Sequence, residues 1–101
     1  MYEAEITSLE LEWSEEAGFF WQLRQGRFVL ADFQRALTKI KSVAIPEDGN
    51  VPRRIVSLLW YIPLFMQWQV ERVRENQGDS IAFTGAITTI TNEIERLLGV
   101  P

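Results

Sequence analysis

Two pairs of carboxylates stand close together near the start of the chain, Glu10 with Glu12 and Glu15 with Glu16. Paired carboxylates are the minimum equipment for acid–base chemistry, one member protonated and donating while the other is ionised and accepting. That division of roles needs an apolar enclosure to lift one pKa, and the surrounding "LELEWSEEAG" supplies none. The chain has no histidine and no cysteine. The usual base near neutral pH, the commonest metal ligand, the thiolate nucleophile and any disulfide or zinc–thiolate framework are therefore excluded. "PEDGN" at 46–50 has acids and a glycine but not the ligand spacing or closing glutamate of a calcium loop. Gly18 and Gly26 are isolated, so no phosphate-cradling loop exists. The expectation is a protein that is not an enzyme and carries no cofactor or metal.

Charge and rings point elsewhere. Residues 1–16 contain six acids and no base, whereas residues 24–54 contain seven bases and three acids. Such polarity bears on association and steering rather than on fold. The seven bases (Arg24, Arg27, Arg35, Lys39, Lys41, Arg53 and Arg54) raise the question of nucleic acid, but the net charge is −4 and the pI about 4.8. Phosphate binding needs a dominant positive stripe, so no nucleic-acid partner is expected. Four tryptophans are present, and "GFFWQL" sets three rings in a row. On a helix, Phe19, Phe20 and Trp21 spread over about 200°, too wide for one core-facing stripe. Aromatic side chains beside acids suit a protein interface: rings supply buried anchor area and charges steer the partner. The expected partner-binding set is Glu10, Glu12, Trp13, Glu15, Glu16, Trp21, Trp60 and Trp68.

The elements that would position these residues are mainly helical. Residues 1–13 alternate, with Leu9, Leu11 and Trp13 on one side and Glu10 and Glu12 on the other, which predicts a short N-terminal strand. "SEEAGFFWQLRQG" predicts a first helix with Ser14 as N-cap, Glu15 and Glu16 at its positive end and Gly26 just past its end. A hairpin around Gln25–Gly26 is the rival reading of residues 19–30. Phe33, Ala36, Leu37, Ile40, Val43 and Ala44 make the apolar stripe of a second helix over 30–44, stopped by Pro46. Phe83, Ile87, Ile90, Ile94 and Leu97 do the same for 81–98, closed by Gly99 and Pro101.

Between these lies the longest expected helix, 53–75, built around "IVSLLWYIPLFMQWQV". Ile55, Leu58, Leu59, Ile62, Phe65, Met66, Val70 and Val73 form a core stripe, and Trp60, Leu64 and Trp68 form a second row at i, i+4, i+8. The apolar run falls short of the roughly 20 residues a membrane span needs and is interrupted by Ser57, Gln67 and Gln69. No membrane partner is expected. Pro63 removes the donor that would pair with the Leu59 carbonyl and predicts a bend. With 101 residues and one clear long loop, "IPEDGNVP", the chain reads as a single domain. The predicted fold is mainly α: one bundle of about four helices over residues 1–101, with a possible short strand at the N-terminus.

Over residues 9–70, the succession "LELEW", "GFFWQLRQGRF" and "RRIVSLLWYIPLFMQWQ" resembles small bacterial immunity proteins that accompany secreted or contact-delivered toxins. The resemblance implies a stoichiometric inhibitor that binds a cognate toxin with a basic surface. The absence of a basic, apolar leader in "MYEAEITSLELEW" fits a cytoplasmic protein. The alternative function is a self-associating, homodimeric helical scaffold that uses the Trp60–Leu64–Trp68 row.

Overall fold

The computed structural model describes residues 1–101 as helices joined by turns, with no strand. Six helical elements follow one another: α1 (Glu3–Ser14), α2 (Phe19–Arg24), α3 (Leu30–Lys41), α4 (Arg53–Trp68), α5 (Val70–Glu75) and α6 (Ser80–Leu98). Only Gln69 separates α4 from α5.

The N-terminal strand is replaced by α1. Its inner face reads Tyr2, Ile6, Leu9 and Trp13, a helical spacing, and Leu11 points outward. The Tyr2 hydroxyl donates to the Ala44 carbonyl at 2.9 Å, which ties the start of α1 to the end of α3. Ser14 closes α1 and does not cap the next helix. Glu15 and Glu16 lie in the intervening turn, and α2 begins only at Phe19. Residues 19–24 are thus helical, not a hairpin, and Gly26 ends the turn at a φ of 81°, a conformation that favours glycine.

α6 follows its predicted stripe, whereas α3 does so only to Ile40: it ends at Lys41 rather than 44, with Val43 buried beyond it and Ala44 exposed. Phe33, Ala36 and Ile40 are buried on α3, as are Phe83, Ile87, Ile90, Ile94 and Leu97 on α6. The Asp79 carboxylate accepts from the Ala82 N–H at 2.9 Å and caps the N-terminus of α6. α6, with 19 residues, is the longest helix, because the expected 53–75 helix is divided at Gln69. α4 runs on through Pro63 to Trp68.

The helices share one core of 22 buried apolar residues. α4 packs against α1 and α6, α3 against α1, α2 and α6, and α5 against α6. On α4 the inward stripe is Ile55, Leu58, Leu59, Ile62, Phe65 and Met66, each worth about 1.5–3 kcal/mol when fully buried. The molecule is only 19 Å thick along its shortest axis, room for about two helix layers at 8–10 Å spacing. A helix in a two-layer slab keeps an outward face, and on α4 that face is apolar.

Candidate functional site

Two groups of side chains organise the molecule around α1 and α2. The first is centred on Glu12, which is 2% exposed although charged. Its Oε1 accepts from the Phe19 N–H at 2.9 Å and from Arg35 Nη2 at 2.8 Å. Its Oε2 accepts from Arg35 Nε at 3.0 Å and lies 2.6 Å from Lys39 Nζ. Burial alone would raise this carboxyl, but the bonds from Arg35, Lys39 and the Phe19 N–H outweigh it and hold the pKa at about 2. The Glu12 carboxylate in turn pushes the Arg35 guanidinium up from its ordinary value. One side chain of α1 therefore caps α2, whose N-cap position is a glycine, and clamps α3. Gly18 lets the chain turn this closely: a Cβ there would stand 2.5 Å from the Glu12 carbonyl oxygen.

The second group is a chain of rings running from the core to the surface. Phe83 meets Phe28 at 5.2 Å, Phe28 meets Phe19 at 6.2 Å, and Phe19 meets Phe20 at 5.1 Å. Phe20 stacks on Trp13 at 4.3 Å, and Trp13 lies 6.1 Å from Tyr61. Tyr61 then stands edge-on to Trp60 at 5.7 Å and to Trp68 at 6.0 Å. The inner rings are buried, but Trp60 is 54%, Leu64 40% and Trp68 61% exposed. Together these three leave on the order of 350 Å² of surface open, about the size of the largest apolar patch on a typical monomer, which is often functional. Tyr61 makes an edge contact with each indole, which limits the freedom that a partner's arrival would take from them.

Beside the row lies a groove of about 400 Å³ between α1, α2 and α4, walled by Trp13, Leu58, Trp60 and Tyr61. Two arginines reach it. Arg54 is paired with Glu10, donating from Nε at 3.0 Å and Nη2 at 2.7 Å to one carboxylate oxygen. Arg24 lies over the Trp13 ring at 5.5 Å and the Phe65 ring at 5.6 Å and forms no salt bridge. Both rings attract the guanidinium through their negative faces.

The expected partner-binding residues are therefore dispersed. Trp13, Trp60 and Trp68 belong to one surface with its supporting rings. Glu12 does not belong to an exposed acidic face, because it is enclosed by three donors. Glu10 is engaged with Arg54 at the groove. Glu15 and Glu16 are exposed and unpaired in the α1–α2 turn. Trp21 is half-buried on α2 and does not line the groove. Glu12, the buried member of the first carboxylate pair, is held ionised by these bonds. No three acidic side chains gather where they would hold a metal ion.

Arg24 and Tyr61, neither of them in the expected partner-binding set, complete the site. Arg24 sits eleven residues beyond Trp13, and only the turn between α1 and α2 brings the two together. No family model, curated protein or solved structure matches this chain.

Proposed function

We propose that this chain is a non-catalytic protein-binding module that docks its partner on the outer face of α4, acting as an immunity-type inhibitor of a cognate bacterial toxin. One observation carries the docking reading: Trp60, Leu64 and Trp68 stand in a single exposed row beside Tyr61, on a helix whose opposite face is buried in the core. Large rigid rings with little entropy left to lose are the side chains that dominate binding energy at interfaces. A standard interface takes about 800 Å² from each partner, so the row would supply its apolar centre and polar residues would form the rim. The inhibitor role rests on the sequence resemblance. A non-catalytic role agrees with the lack of histidine and cysteine and with the fixed ionisation of Glu12. Attraction to a basic patch now falls to Glu15 and Glu16, the two unpaired acids of the α1–α2 turn. No helix is long and apolar enough to cross a membrane, and we place the protein in the cytoplasm with its partner.

A second reading has the same row in its favour. An apolar ridge on one helix can pack against its own copy about a two-fold axis, so a homodimer would also cover it. Sedimentation across a wide concentration range separates the two. A monomer throughout supports a foreign partner; a dimer that dissociates when Trp60 and Trp68 are replaced by alanine supports self-association.

A further inference from the structure

We propose that the groove beside the row receives an acidic side chain, Asp or Glu, from the docked protein, with an apolar neighbour of that residue laid on Trp60 and Tyr61. This inference rests on the docking reading above and adds the chemistry of the partner's contact segment. Its basis is an imbalance of charge within an otherwise apolar groove. Of the two cations that reach the groove, Arg54 is already satisfied by Glu10, whereas Arg24 has no carboxylate within bonding range. The exposed Arg24 places its guanidinium carbon 5.5 Å from the Trp13 ring centre and 5.6 Å from that of Phe65, where both rings attract it. Its backbone carbonyl accepts from the Arg72 guanidinium, which fixes the end of α2 from α5. A guanidinium with no carboxylate of its own keeps its donors available, and a carboxylate is the group whose geometry matches them. Closing the groove would exclude water from this pair and strengthen it, while a lysine or arginine placed there would meet Arg24 at close range. The rings on either side accept an aliphatic or aromatic residue next to the acid, so the expected motif is an acid flanked by an apolar anchor. The attraction is local and opposite in sign to that of Glu15 and Glu16, so the partner's contact area is of mixed charge.

The test is a selection of short random peptides on the immobilised full-length chain, followed by fluorescence titration of the synthetic winners. The titrations use the wild type, Arg24→Gln, Arg24→Glu and the double variant Trp60→Ala/Trp68→Ala, after thermal melting has confirmed that each is folded. The expected winners carry Asp or Glu beside an apolar residue and lose about thirtyfold or more in affinity against Arg24→Glu. Changing their acid to lysine should restore binding to Arg24→Glu. Winners that need Trp60 and Trp68 but bind the Arg24 variants as tightly as the wild type overturn the acidic contact and leave the docking face standing. If no winner depends on Trp60 and Trp68, both ideas fall. Binding of the wild type, but not the double variant, to phosphatidylserine vesicles would also overturn both, with a lipid surface in place of a protein.

Discussion

Replacing Glu12 by glutamine removes one charge from the best-connected side chain in the molecule and leaves its shape nearly unchanged. In the wild type, four contacts converge on the two carboxylate oxygens, from the Phe19 N–H, two nitrogens of Arg35 and the Lys39 ammonium. Glutamine can keep the bond to Phe19, but its NH₂ would then face donors of Arg35 and Lys39, and two cations would lose their counter-charge. A carboxyl held at about 2 instead of the ordinary 4.5 corresponds to about 3 kcal/mol of stability at neutral pH. Arg35 is 41% exposed, so solvent screens part of that interaction and about 2–3 kcal/mol is the working figure. For a domain of this size that is a fall in Tm of about 10–20 °C. The sign with pH follows from the depressed value. The folded protein binds the proton less readily than the unfolded chain, so the stabilisation is complete above 4.5 and is lost as pH falls through about 2. Urea denaturation of both proteins at a series of pH values should therefore show a gap that is wide at neutral pH and closes in acid. A gap that is absent, or that is the same at every pH, would refute the electrostatic account of Glu12.

Three further outcomes are expected. Gly18→Ala should cost about 2–4 kcal/mol by urea denaturation, because its Cβ would lie 2.5 Å from the Glu12 carbonyl oxygen and 2.7 Å from that of Leu11. Gly18 has an ordinary φ of −71°, so a loss below about 0.5 kcal/mol would mean that the α1–α2 corner opens easily. Arg54→Ala should change stability by less than about 1 kcal/mol, since it breaks only an exposed pair with Glu10; a larger loss would show that the pair anchors α1 to α4. Trp60→Ala/Trp68→Ala should leave the thermal midpoint nearly unchanged, because both indoles are more than half exposed, and a steep fall would reassign them to the core.

The core faces of three helices are legible in the sequence because their apolar residues recur without interruption. The stripes on α3, α4 and α6 were read from spacing alone, and their residues fill most of the core. α1 carries the pattern of a strand because a charged residue occupies its inner face. Tyr2, Ile6, Leu9 and Trp13 carry the helical period, but Glu12 is buried among them and Leu11 is apolar on the outside, so the sequence imitates alternation. The signal was masked by the same residue that joins α1, α2 and α3. The start of α2 was displaced for a related reason. Ser14 looks like a local cap, yet the Phe19 N–H is satisfied by Glu12 from the preceding helix, a partnership with no local pattern. The break at Gln69 is marked by neither glycine nor proline at that position. For the site, the second row on α4 was visible as spacing, but which tryptophans stay outside depends on the thickness of the bundle. The pairing of Arg24 with Trp13, and the removal of Glu12 from the surface, depend on how three helices meet.

The central claim, that the Trp60–Leu64–Trp68 row is the docking face, is tested most directly by affinity. The partner that co-purifies with the chain from its native host would be titrated against the wild type and the Trp60→Ala/Trp68→Ala variant. Anchors of this kind contribute at least about 2 kcal/mol each, so Kd should rise about a thousandfold or more while the melting curve stays in place. Equal affinity for the two proteins would contradict the account.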